Sequence, residues 1–188
     1  MEHAAPEGSG AMSAVLGMDA EVIEDVLNGR EGVSIANYNC PGQIVITGEA
    51  AAVAEAGTAL KEAGARRVLP LKVSGPFHSP MMRPAGEELA KVFAGISMNP
   101  LKIPYVANIN AEVIADCGRI EGLLVDQVSG SVRWQQSVET MIREGVDTFV
   151  EIGPGKTLTG FLRKIDKNVK TYHIGSWEEA VQVCEELK

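Results

Sequence analysis

Two β-branched runs, residues 33–37 and 43–47, are separated by Tyr38-Asn39-Cys40-Pro41-Gly42, and this arrangement constrains the fold more than anything else in the chain. The Pro-Gly pair marks a tight turn, so the runs read as a hairpin. On the N-terminal side, residues 12–16 read as a short strand and residues 20–28 as a helix with Asp19 at its N-cap and Gly29 at its end. On the C-terminal side, the alanine-rich residues 50–63 read as a helix stopped by Gly64, and residues 66–71 as a returning strand. The predicted order is β-α-β-β-α-β within about sixty residues, a split βαβ unit. Residues 1–10, rich in Glu, Gly, Pro and Ser, read as a tail.

Beyond residue 80 the pattern changes. Residues 81–95, 120–128, 134–144 and 158–164 read as helices, and a last helix starts at Ser176. Residues 103–109, 148–152 and 171–174 read as strands. Alternating strands and helices predict an α/β chain with a mostly parallel, helix-covered sheet. With 188 residues, 45% of them apolar, there is enough chain for one ordinary domain or two small ones. No apolar run approaches the about 20 residues of a membrane span, and the start lacks a basic-then-apolar leader, which predicts a cytoplasmic chain off the membrane. A net charge of −8 argues against nucleic acid. The odd count of three cysteines, Cys40, Cys117 and Cys184, argues against a disulfide framework, and their spacing against a metal site.

Between the two regions lies Ser74-Gly75-Pro76-Phe77-His78-Ser79-Pro80. Both prolines fix their own φ and push the preceding residue into extended geometry, so His78 sits on a stiff, irregular turn. An imidazole presented in this way can take and return a proton, or can be a turn histidine without chemistry. A serine nucleophile would be its natural partner, yet no serine lies in a G-x-S-x-G elbow; the nearest approach, Gly32-Val33-Ser34-Ile35-Ala36, falls within a strand. Cys40 as a nucleophile would make the chain a thioesterase or hydrolase, but lone cysteines are mostly inert. Gly153-Pro154-Gly155-Lys156-Thr157 follows a strand and opens a helix like a phosphate-binding loop, but the required first glycine is Val150 and Pro154 removes a backbone donor. It reads as a strand-to-helix turn.

The segments NYNCPGQIVITG (37–48), GPFHSP (75–80), VAN (106–108), QVSGSVRW (127–134) and EIGPGKTLTG (151–160) occur in the order seen in malonyl-CoA:acyl carrier protein transacylases, which this chain resembles from Ala11 onward. The resemblance implies a ferredoxin-like small subdomain, residues 11–71, and the C-terminal part of an α/β-hydrolase-like acyltransferase subdomain, residues 72–188. It also implies ping-pong transfer of malonyl from malonyl-CoA to the phosphopantetheine thiol of acyl carrier protein, in fatty acid synthesis or a polyketide pathway. No cofactor or metal is implied, since coenzyme A and pantetheine are substrates. His78 would be the catalytic base, Gln127 would orient it through its backbone carbonyl, Asn39 would help hold the acyl group, and Phe77 would narrow the pocket beside the acyl Cα. The family's serine elbow, oxyanion glutamine and carboxylate-binding arginine have no counterpart here. The chain is therefore expected to be a fragment, inactive alone, that associates with a missing N-terminal half or with itself. The alternative is a non-catalytic module that binds the carrier protein.

Overall fold

The computed structural model describes residues 5, 6, 8–73 and 75–187; Ser74 and part of the expected tail lie outside that set. The N-terminal elements are β1 (Gly10–Leu16), α1 (Ala20–Leu27), β2 (Val33–Cys40), β3 (Gln43–Glu49), α2 (Ala50–Glu62) and β4 (Arg67–Pro70), the β-α-β-β-α-β order expected. They form one antiparallel sheet in the order β2-β3-β1-β4. Alternation along the strands divides its faces. Val15, Ile44 and Ile46 point to the side covered by α1 and α2, where they pack with Ile23, Leu27, Val53 and Leu60. Met12, Ala14, Ala36 and Val45 line the opposite face, and Phe77 packs against them.

Several local expectations change. The hairpin turn is only Pro41-Gly42, with Gly42 at φ 71, and β2 runs on through Asn39 and Cys40. Register shifts between Ile35 and Asn37, and between Tyr38 and Cys40, bend this strand and lengthen it. Asp19 holds the N-cap position of α1 but its side chain makes no capping bond. Ser9 Oγ donates to Pro6 O, and Ser9 O accepts from Ala50 N at 3.0 Å, so this end of the expected tail is tied to the start of α2.

After β4 come a short 3₁₀ turn (Pro80–Met82), α3 (Arg83–Phe93), β5 (Tyr105–Ala107), β6 (Glu112–Ile114), α4 (Ile120–Ser129), α5 (Trp134–Arg143), β7 (Thr148–Ile152), α6 (Thr157–Ile165), β8 (Lys170–Ile174) and α7 (Trp177–Glu186). The strand expected over residues 103–109 is confined to β5. It turns back antiparallel into β6 through Ala111, which takes φ 57. Among the described residues β7 and β8 are the one parallel pair of strands, beside a single parallel bridge between Asn37 and Val132, so the mostly parallel sheet is not observed. Alternation of element types does not specify which strands meet.

Candidate active site around His78

His78 leaves the apolar face of the N-terminal sheet on a tightly held turn. Pro76 is fully buried, and a Cβ at Gly10 would overlap its ring, so β1 and the turn are in close contact. Thr47, fully buried on β3, donates from Oγ1 to Phe77 O at 2.9 Å. Ser79, also fully buried, donates from Oγ to Pro76 O at 2.7 Å, and its own carbonyl accepts from Met82 N at 2.9 Å. The backbone on both sides of the histidine is thereby fixed. His78 itself takes φ 59, a left-handed conformation uncommon for a residue with a Cβ. Conformations of this kind persist only where the surroundings enforce them.

The ring meets the end of α4. The last four carbonyls of a helix have no intrahelical partner. One of these is Gln127 O, which lies 3.0 Å from His78 Nδ1. A carbonyl only accepts, so Nδ1 carries a proton, and the neutral ring then keeps its lone pair on Nε2. That is the tautomer a general base needs, its free nitrogen facing away from the helix. Packing of α3 on α4 holds the two parts together: a Cβ at Gly86 would stand 3.1 Å from Val125 O, closer than an ordinary side-chain contact.

Behind Gln127 the chain crosses to the sheet. Ser131 Oγ donates to Ile35 O at 2.6 Å. Val132 N donates to Ala36 O at 2.7 Å, and Tyr38 N donates to Val132 O at 2.9 Å, which covers the outer edge of β2. Arg133 N donates to Asn108 O at 2.8 Å, and the Arg133 guanidinium lies 5.5 Å from the centre of the Tyr38 ring. Tyr38 donates to Glu24 Oε1 at 2.7 Å. Burial, then that bond and the Glu24 charge, push its hydroxyl up to about 12, with Arg133 opposing. Four of the five sequence segments, those containing Tyr38, His78, Asn108 and Gln127, therefore converge.

The fifth does not join them through any hydrogen bond to His78 or Gln127 among the described residues. Glu151 on β7 accepts from Leu158 N at 3.1 Å, from Thr159 N at 2.7 Å and from Thr159 Oγ1 at 2.6 Å. Burial would raise this carboxyl, but the Thr159 hydroxyl and the two backbone donors outweigh it, with His173 adding to their effect, and hold it below the usual range. A side-chain carboxylate thus occupies the N-terminus of α6, where a phosphate would have to sit, in agreement with reading 153–157 as a turn.

Of the residues predicted for the site, His78 and Gln127 are in direct contact. Phe77 is half-buried on the sheet face beside them. Asn39 stays within β2, half-buried, with no side-chain bond to either among the described residues. Cys40 is fully buried, and burial pushes its thiol up with Lys164 opposing, the reverse of what a nucleophile needs. Thr47, Ser79 and Ser131 went unrecognised, and no spacing rule would have found them. Among the described residues no group of three or more His, Cys, Asp or Glu is arranged to hold a metal, and no helix is long and apolar enough to cross a membrane.

The sequence profile of the acyl transferase domain matches residues 1–183. The chain belongs to the acyl transferase domain family. Curated relatives of this acyl transferase chain include the malonyl CoA-acyl carrier protein transacylase of Bacillus subtilis, 43% identical over all of this chain and 61% of the relative. That of Escherichia coli K12 is 43% identical over 88% of this chain and 54% of the relative. The solved malonyl CoA-acyl carrier protein transacylase of Clostridium perfringens superposes with a TM-score of 0.94 at 40% identity, over 100% of this chain and 60% of that one. A malonyl-transacylase solved in complex with its type II polyketide acyl-carrier protein superposes with a TM-score of 0.92 at 38% identity, over 98% and 61%. The acyl transferase chain thus has the α/β fold of these enzymes and spans about three fifths of the length of the Bacillus relative.

Proposed function

We propose that this chain is the histidine-bearing part of a malonyl-CoA:acyl carrier protein transacylase, with His78 as general base and acid. The contact between His78 Nδ1 and Gln127 O at 3.0 Å carries the reading, because it leaves Nε2 free to take a proton. The relatives' names supply the substrates, malonyl-CoA and an acyl carrier protein. In the first half-reaction His78 takes the proton of a serine hydroxyl as that oxygen attacks the malonyl thioester, then gives it to the departing coenzyme A sulfur. In the second it takes a proton from the carrier's pantetheine thiol, which attacks the serine ester, and returns that proton to serine. Asn39 and Phe77 border the acyl group. No cofactor enters these steps, and the setting is cytoplasmic.

In this reading, residues 11–71 form the ferredoxin-like subdomain and residues 72–188 belong to the hydrolase-like subdomain, with residues 1–10 preceding both. The serine elbow, oxyanion donor and carboxylate clamp come from an N-terminal half, since no G-x-S-x-G elbow occurs in this sequence. A polyketide pathway is the second reading, favoured by the likeness to a transacylase solved with a type II polyketide carrier.

The test is malonyl transfer to a carrier protein by this chain mixed with a nucleophile-bearing segment. His78→Ala is expected to lower the rate by about 10²–10⁴-fold, the usual contribution of a positioned acid-base group. Carrier binding with no transfer under any pairing would instead make the chain a non-catalytic carrier-binding module.

A further inference from the structure

The carbonyl that meets His78 lies in the last turn of α4, where helices fray and carbonyls are least constrained. Here that turn is held by side chains. Gln127 Nε2 donates to Gly130 O at 2.9 Å and to Ser131 O at 3.3 Å, folding the residue's side chain back over the turn that follows it. Its Oε1 is buried with no partner among the described residues, so the side chain's orientation rests on the two bonds from Nε2. Ser131 in turn donates to Ile35 O at 2.6 Å, next to Ala36, which is the extra residue where the register of β2 shifts. Gly130 ends the helix against Ile109, where a Cβ would overlap the Ile109 side chain.

We propose that the side chains of Gln127 and Ser131 are positioning residues that act through the Gln127 carbonyl on the tautomer of His78. The connection runs from the bulged edge of β2 through Ser131 and the Gln127 amide to the imidazole. The inference rests on reading His78 as the base and extends it from one backbone atom to the two side chains that place that atom. Loss of either side chain frees the last turn of α4, and the Gln127 carbonyl drifts out of line with Nδ1. The proton then redistributes to Nε2, where it blocks the lone pair that the reaction needs.

Two-dimensional ¹H–¹⁵N correlation of the ring nitrogens, on the whole chain labelled at its three histidines, reads this directly. In the unsubstituted protein His78 is expected as the Nδ1–H form. Gln127→Met, which keeps side-chain length but removes the amide donors, and Ser131→Ala are each expected to raise the Nε2–H share about 2- to 10-fold, the worth of one net hydrogen bond. Ser131→Thr, which keeps the hydroxyl, is expected to restore it. Methyl resonances of Val45 and Thr47 report whether the sheet is intact, and Gln127→Met decides alone should Ser131→Ala not fold. An unchanged tautomer in folded Gln127→Met overturns the inference and leaves His78 as the base. An Nε2–H ring in the unsubstituted protein overturns the inference and that reading together.

Discussion

At the scale of single residues, the left-handed His78 is the costly element, since such a conformation in a residue with a Cβ is worth roughly 1–3 kcal/mol against folding. The Thr47 bond to Phe77 O is one of the contacts that offset it. Thr47→Val keeps shape but leaves that carbonyl without its donor, and is expected to destabilise by about 1–3 kcal/mol, measured as a lower urea midpoint. Gly10→Ala is expected to cost a similar amount, about 1–3 kcal/mol, because its Cβ would overlap the buried Pro76, and to shift the ring resonances of His78 with it. The presentation of His78 was legible because two prolines and a glycine leave the backbone few alternatives. The partner was not legible from chemistry: a backbone carbonyl has no residue-type signature, and Gln127 was reached through resemblance alone. Thr47 and Ser131 were invisible for a related reason, since each is defined by a contact across 30 or 96 residues of chain.

At the scale of elements, α6 depends on Glu151 rather than on a residue of its own first turn. The folded carboxyl lies below its ordinary value of 4.5, so its contribution is present above that value and is lost as pH falls through the folded one. Stability measured by urea from about pH 6 to about pH 3 is expected to fall more steeply in the unsubstituted protein than in Glu151→Gln, which has no such charge to lose. Equal slopes would show that the capping carboxylate contributes nothing to acid sensitivity. The N-terminal elements were legible because period-two strands, helix-stopping glycines and the Pro-Gly turn all agree. The β5–β6 pair was not, because one apolar run through residue 109 conceals the reversal at Ala111, a position whose positive φ no sequence rule assigns to alanine.

At the scale of the whole molecule, the antiparallel four-stranded sheet is well covered, while β7 and β8 form a two-stranded parallel pair. Parallel strands are ordinarily buried on both faces. Here Ile152 is 77% exposed at the end of β7, and Ile103 is 77% exposed before β5. Exposed apolar side chains near short, unextended sheets favour association, so sedimentation velocity is expected to show a mass that rises between about 1 and 100 μM protein. A constant monomer mass over that range would contradict this. The five helices of this region and the strands β7 and β8 followed from the sequence in their order, but the added strand β6 and the grouping into separate sheets did not, because strand pairing is settled by tertiary contacts. In the proposed reaction this chain lends a base to a nucleophile on another segment. Intact-mass spectrometry after incubation with malonyl-CoA, with the chain alone and then with an N-terminal acyltransferase segment bearing the serine elbow, tests that most directly. A malonyl adduct is expected on the added segment only, formed much more slowly with His78→Ala, whereas an adduct on this chain by itself, or acylation indifferent to His78→Ala, would contradict the role of His78 as a base lent to that segment.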